Sequence, residues 1–90
     1  MERKARIVRV RIDEGKAGLF YASSPDLRGL LVAGSTADEA WQGVPEAIRA
    51  LFLAKGHEVV VIEAHDGNPA ERPWAAIPAD VAKQALEAIR

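Results

Sequence analysis

One amphipathic segment, residues 35–56, constrains the fold more than any other part of the chain. Thr36 stands at its start and Glu39 follows three residues later, a spacing typical of a helix capping box. Gly56 can adopt the left-handed conformation that ends many helices. Between these ends the apolar residues recur at the spacing of one helix face: Ala37, Ala40, Trp41, Val44, Ala47, Ile48, Leu51 and Phe52. The pattern predicts one long helix that buries a single stripe.

Two residues in the middle of this segment oppose a straight helix. Gly43 has a low helix propensity, and Pro45 removes a backbone hydrogen bond and kinks a helix. We expect one bent helix. Two shorter helices broken near Gly43 are the alternative.

Four further segments are expected to be strands. They are residues 4–13, 17–23, 30–33 and 58–64. The first alternates, because Val8, Val10 and Ile12 share one face. The last contains four consecutive β-branched residues, which predicts a strand covered on both faces.

The remaining C-terminal residues are expected to contain a loop and a second helix. Residues 65–72 are polar and rich in turn formers, and residues 73–78 form a short stiff segment that carries Trp74. Residues 79–90 have the apolar spacing of a short helix.

This β-β-β-α-β-α order predicts an α+β fold. Three meander strands would form an antiparallel sheet, and a crossover through the long helix would bring the fourth strand parallel to one of them. The main helix would pack on one face of this small mixed sheet. We expect residues 1–64 to form the α/β domain. Residues 65–90 would belong to the same compact unit or to a dimer interface.

Composition narrows the functional classes. Ninety residues make one small domain, and a net charge of −1 gives no electrostatic argument for nucleic acid. The chain has no Cys, which excludes disulfides and thiolate chemistry. Neither His57 nor His65 has further ligands at metal-binding spacing. No apolar run is long enough to span a bilayer, and no signal peptide is evident. We expect a cytoplasmic protein without cofactor, metal or membrane contact.

An ordered set of short motifs lies within residues 20–64. The set is Pro25-Asp26-Leu27-x-Gly29, then Gly34-x-Thr36-x-x-Glu39-Ala40, then Glu46-Ala47-Ile48. In this order the set resembles the HicB antitoxin family. The resemblance implies an α/β domain similar to a partial RNase H fold. It also implies binding and neutralisation of a small HicA-type toxin that cleaves mRNA.

Three features depart from the pattern of that family. Arg28 stands where the family often has Pro, Pro45 interrupts the helix, and only one clear helix, at residues 79–90, follows the fourth strand. Many family members add a ribbon-helix-helix or helix-turn-helix, each of which needs at least two elements. We therefore expect no direct DNA binding by this chain alone. An orphan HicB-like domain with a structural or regulatory role is an alternative.

The bend that follows the second strand is the candidate partner-binding region. Its candidate residues are Tyr21, Asp26, Leu27 and Arg28. A local role explains part of this composition, because Asp26 suits a side-chain hydrogen bond within the bend and Gly29 suits a positive φ. We expect that local role ahead of direct partner contact.

The C-terminal part of the chain is the candidate oligomer interface. Its helix is short for independent stability and needs a surface to pack on. Trp74 stands outside the main apolar stripe, so it is expected to cover the second sheet face or to anchor an interface. We expect at least a homodimer. The candidate interface residues are Trp74, Ile77, Val81, Leu86 and Ile89.

A metal-dependent nuclease of RNase H type is a further alternative. That chemistry needs several carboxylates around two metal ions about 4 Å apart. Asp13, Glu39 and Glu63 are the nearest available carboxylates. Asp13 begins a turn and Glu39 serves a helix cap, so we expect no enzymatic activity.

Overall fold

The structure is a computed structural model, and it describes residues 5–63 and 71–88. It is an α+β fold. The strands in chain order are β1 (Arg6–Glu14), β2 (Phe20–Ser23), β3 (Leu31–Gly34), β4 (Val59–Glu63) and β5 (Glu71–Pro78). The helices are α1 (Ala37–Ala54) and α2 (Ala79–Ala88), with a single 3₁₀ turn at Lys16–Gly18. The α+β class is confirmed, but the order is β-β-β-α-β-β-α.

The five strands form one sheet in the order β3-β2-β1-β5-β4. Every neighbouring pair is antiparallel. The predicted mixed sheet with a parallel fourth strand is therefore wrong. β4 runs in the same direction as β1, but β5 lies between them and pairs with both.

β5 is the element that the sequence analysis missed. Its residues pair with β1 from Glu71 to Ala76 and with β4 from Trp74 to Pro78. Two prolines in eight residues normally argue against a central strand. Here Pro73 pairs only with β1, and Pro78 is the last residue of the strand. Hydrogen bonding to β1 and β4 therefore makes this segment a strand although its own strand propensity is low.

The start of α1 follows the predicted capping pattern in part. The Thr36 side chain accepts a hydrogen bond from the backbone N–H of Glu39 at 3.1 Å. The Glu39 carboxylate does not complete the box, because it accepts from the hydroxyl of Ser35 at 2.6 Å instead. Its negative charge still lies in the first turn, where the helix dipole favours it.

The end of α1 is a Schellman motif. Gly56 has a φ of +85°, and its N–H donates to the carbonyl of Leu53 at 2.9 Å. The N–H of His57 donates to the carbonyl of Phe52, also at 2.9 Å. These two bonds satisfy carbonyls that a helix end would otherwise leave without partners. The chain then turns directly into β4.

α1 is one continuous helix that contains Pro45, so the alternative of two broken helices is wrong.

The close approach of α1 to β3 explains two glycines, Gly43 and Gly34. A Cβ added at Gly43 would lie 2.7 Å from Cγ1 of Val32. A Cβ at Gly34 would meet the backbone N of Ala40 at 2.6 Å. Gly34 lets the backbone of β3 approach the backbone of α1, and Gly43 makes room on α1 for the Val32 side chain.

The hydrophobic core lies between α1 and one sheet face. Val8, Val10, Trp41 and Ile48 are buried as expected, whereas Leu51 and Ile12 are only partly buried. The remaining buried core residues are Ala22, Leu27, Leu30, Ala40, Val44, Phe52, Val59, Trp74 and Ala76. The helix stripe predicted from the sequence therefore faces the core.

Trp74 belongs to this core, and the expectation that it covers the second sheet face is wrong. It is 7% exposed and stands opposite Val8 in the register of β5 and β1. Because residues directly opposite one another share a sheet face, Trp74 faces α1. Its indole Nε1 is buried, and no residue within 5–63 and 71–88 accepts a hydrogen bond from it.

α2 continues directly from β5. The N–H of Ala79 donates to the carbonyl of Glu58 at 2.9 Å, which fixes the helix start beside the start of β4. The predicted helix is confirmed through Ala88, and its last two expected residues lie outside the described part of the chain. The expected polar loop at residues 65–72 is described only at its end, where Glu71 and Arg72 begin β5.

Candidate functional site

The sheet has an inner face, which packs against α1, and an outer face on the opposite side. Register places Ile7 of β1 opposite Ala75 of β5, and Ala75 opposite Ile62 of β4. Alternation along the strands puts these three residues on the outer face, because their neighbours Val8 and Trp74 face the core. Ile7 and Ile62 are 55% and 51% exposed. They form one apolar row across three strands.

A second apolar row lies beside the first. Ile77 of β5 is opposite Val60 of β4, and Val60 is 41% exposed. We name the two rows together the apolar patch; it consists of Ile7, Val60, Ile62, Ala75 and Ile77. Single exposed apolar residues are normal on protein surfaces, but contiguous groups mark interaction sites. The sequence pattern does not predict this patch, because the patch includes residues of β5, which was not predicted to be a strand.

A charged pair lies on the outer side of the sheet beyond the patch. The Asp26 carboxylate accepts three hydrogen bonds from Arg9: from its backbone N at 2.9 Å, from Nε at 3.0 Å and from Nη2 at 3.2 Å. β2 pairs with β1 only from Arg11 onward. The Asp26 carboxylate therefore supplies an acceptor to a β1 N–H on the side where β2 has ended.

The same contacts set the ionisation of Asp26. The side-chain hydrogen bond from Arg9 is the main reason that the pKa of Asp26 is lowered, and the backbone N–H of Arg9 contributes next. Partial burial acts in the opposite direction. The Ser24 hydroxyl accepts from the Asp26 N–H at 3.0 Å and shapes the bend.

The structure distributes the four candidate partner-binding residues over different environments. Leu27 is buried in the core, and Asp26 is bound to Arg9. Arg28 is exposed, and Tyr21 is half-buried on β2 opposite Asp13. Gly29 has a φ of +93°, as expected for the bend. The role expected for Gly29 is confirmed, whereas the hydrogen bond expected for the Asp26 side chain within the bend is wrong, because its carboxylate binds Arg9 of β1 instead.

The candidate oligomer-interface residues also separate. Trp74 is in the core, while Ile77 is half-buried within the apolar patch. Val81 is half-buried on α2. Leu86 lies within α2, and Ile89 lies outside the described residues.

A second arginine closes the core at the inner face. The Arg72 guanidinium lies 4.5 Å from the centre of the Trp41 ring and 3.3 Å from the Glu63 carboxylate. A similar contact places Arg6 5.7 Å from the centre of the Phe52 ring. Such cation–π contacts contribute about 0.5–2 kcal/mol. Sequence analysis missed the role of Arg72 because it assigned this residue to a loop.

The carboxylates considered for nuclease chemistry do not point toward one common site. Asp13 is on the outer face of β1, whereas Glu63 is on the inner face and binds Arg72. Glu39 belongs to the first turn of α1. Asp13 and Glu63 therefore do not converge on one metal pair. Within residues 5–63 and 71–88, no group of three or more His, Cys, Asp or Glu side chains could hold a metal ion.

A groove of about 330 Å³ lies between α1 and the start of β4. It is lined by Glu46, Arg49, Ala50, Leu53, Glu58 and Val59. Two of its charges are already paired, because Arg49 Nη1 lies 2.9 Å from the Glu46 carboxylate. The groove thus offers fewer unpaired recognition groups than its composition suggests, and the apolar patch is the stronger candidate site.

Comparison of the chain with protein-family models, with curated proteins and with solved structures gives no match in any of the three. The candidate site therefore depends on the geometry of the chain itself. In the part of the chain that the structure describes, neither helix has the length and apolar character needed to cross a bilayer.

Proposed function

We propose that this chain is a protein-binding module that acts as an antitoxin. Its partner would be a small HicA-type toxin that cleaves mRNA, which the chain would bind and neutralise. The observation that supports protein binding is the apolar patch. Ile7, Val60 and Ile62 are all more than 40% exposed, and Ala75 of β5 lies between Ile7 and Ile62 in a row across three strands.

The physical argument for a protein partner is the free energy gained when the exposed aliphatic side chains of the patch are removed from water. Fully burying one large aliphatic side chain contributes about 1.5–3 kcal/mol. The patch lies on a regular sheet whose inner face is fixed by α1, so little ordering entropy is lost when a partner covers it. A preformed, apolar sheet surface suits another protein surface better than a small polar ligand.

The class of the partner rests on the resemblance of residues 20–64 to the HicB family. The motif residues of this resemblance form the bend, the helix cap and the middle of α1. Neutralisation by binding requires no cofactor and no metal ion. It also requires no chemistry from Asp13 or Glu63. The proposal includes a cytoplasmic location, because an mRNA-cleaving toxin acts there.

Co-expression tests this function. A cell that expresses a HicA-type toxin should regain growth when it also expresses this chain. I7E places a charge at one end of the exposed row and should abolish rescue. L53E is the matched control, because Leu53 is 63% exposed on α1 and lies outside the patch. Rescue that survives I7E but fails with L53E would place the binding surface on α1 and overturn the proposal.

A further inference from the structure

β4 is the last strand in the sheet order β3-β2-β1-β5-β4. Within residues 5–63 and 71–88, β5 is the only strand that pairs with it. The other side of β4 presents a row of backbone N–H and C=O groups. Soluble proteins usually protect such an edge with Lys, Pro or a bulge. The β4 sequence, Val59-Val60-Val61-Ile62-Glu63, contains no Lys and no Pro.

The opposite edge of the sheet differs from β4. β3 has only four residues and ends at Gly34, which is packed against the start of α1. β4 is longer, and four of its five residues are β-branched, which favours extended pairing. The two edges therefore have unequal capacity to accept another strand.

We propose that β4 pairs antiparallel with β4 of a second copy of this chain, about a two-fold axis at Val61. This pairing would join two five-stranded sheets into one ten-stranded sheet. On the outer face, Val60 would lie opposite Ile62 of the second copy. On the inner face, Val61 would lie opposite its own counterpart, and Val59 opposite Glu63. All five residues of the strand would gain a partner.

The charges at the ends of β4 do not oppose pairing with a second copy. Residues directly opposite one another in a continuous sheet must point to the same face. Two-fold pairing of β4 with itself therefore matches odd positions with odd and even positions with even. In the register centred on Val61, Glu63 lies opposite Val59, so the two Glu63 carboxylates do not face each other across the axis. Glu63 is also compensated within its own chain by Arg72 at 3.3 Å.

This dimer goes beyond the proposed function and does not depend on it. It uses the backbone edge of β4, whereas toxin binding uses the outer face. Because Val60 and Ile62 belong to the patch, pairing would place the two patches side by side on one surface. A dimer of this kind presents two binding surfaces in a fixed relation.

A charge-swap experiment tests the pairing and its register. V60K/I62K would place Lys opposite Lys twice across the axis, and we expect a monomer by light scattering. V60K/I62E would place Lys opposite Glu twice, and we expect the dimer to return. L31K/A33K is the matched control on β3, since both residues are exposed on the outer face of the other edge, and it should remain dimeric.

The outcome that overturns the proposal is equally specific. A wild-type monomer at millimolar concentration would do so, as would monomeric V60K/I62E. Dissociation by L31K/A33K alone would move the interface to β3. If V60K/I62K does not fold by circular dichroism, amide hydrogen exchange of the wild type replaces it. Backbone amides of β4 should then exchange more slowly at high than at low protein concentration, with no such change in β3.

Discussion

At the scale of single residues, the Asp26 carboxylate replaces a missing strand. β2 ends opposite Arg11, and Asp26 then accepts the N–H of Arg9 on the same side of β1. The Arg9 side chain binds the same carboxylate, so one acidic group satisfies a strand edge and neutralises a cation. The motif that contains Asp26 therefore has a structural explanation before any partner is considered.

The Asp26 contacts predict a pH-dependent loss of stability. At pH 7, D26A should lower the free energy of unfolding by about 1 kcal/mol, because it removes the charged acceptor of the Arg9 N–H and guanidinium in a solvent-exposed position. The pKa of Asp26 is lower in the folded chain than its ordinary value of 3.8. The stabilisation is therefore complete above the unfolded pKa and is lost as pH falls through the folded pKa.

Urea unfolding at several pH values measures this effect. The difference between wild type and D26A should be largest near neutral pH and should shrink in strong acid. D13A is the control, because Asp13 is exposed and its removal should change stability by no more than about 0.5 kcal/mol. A difference between wild type and D26A that stays constant with pH would show that the charge of Asp26 is not involved.

At the scale of elements, α1 is fixed by one buried stripe and by its close approach to β3. Ile48 is fully buried in the stripe, while Leu53 points away from the core. I48A should lower the free energy of unfolding by about 2–5 kcal/mol, because it leaves a cavity between α1 and the sheet. L53A should cost no more than about 0.5 kcal/mol. Equal losses in a denaturant titration would mean that the stripe does not face the core.

The contact between Gly43 and Val32 predicts a coupled pair. G43A gains about 1 kcal/mol of helix propensity but forces a Cβ against Cγ1 of Val32, which typically costs about 1–3 kcal/mol. We expect a net loss in the wild-type background. In a V32A background the obstructing methyl is absent, so G43A should stabilise the chain. A double-mutant cycle by thermal unfolding measures the coupling, and an identical effect of G43A in both backgrounds would contradict it.

The elements also show what sequence reasoning could predict. α1 was predictable because its cap, its apolar spacing and its terminal glycine agree with one another. β5 was not, because its prolines and the repeated alanines Ala75 and Ala76 obscure the alternation between Arg72, Trp74 and the outer residues. Only pairing with β1 and β4 makes it a strand. With β5 missed, the sheet order, the position of Trp74 and the apolar patch could not follow.

At the scale of the whole molecule, the two sheet faces have different environments. α1 covers the inner face, and the outer face carries apolar residues from three strands. The candidate bend residues were predictable from their motif, but the patch combines residues as distant in sequence as Ile7 and Ile77. No local pattern connects them. The proposed protein binding depends on this arrangement, whereas the proposed class of the partner rests on the motifs within residues 20–64.

The molecule-wide charge supports a further prediction about nucleic acid. The net charge is −1, and Arg9, Arg49 and Arg72 are engaged by Asp26, Glu46 and Glu63, respectively. We expect no sequence-specific complex between this chain and DNA upstream of its gene. A gel-shift titration at two salt concentrations tests this. A nanomolar complex that weakens strongly with salt would contradict the prediction.

The most direct test of the central claim maps the partner-binding surface by NMR. A HicA-type toxin is titrated into the isotope-labelled chain, and backbone amide shifts are followed. We predict that the largest changes cluster at Ile7, Ile62 and Ala75 on the outer face. Changes that cluster instead on the exposed side of α1, or no changes at micromolar toxin, would contradict the claim that the apolar patch binds the toxin.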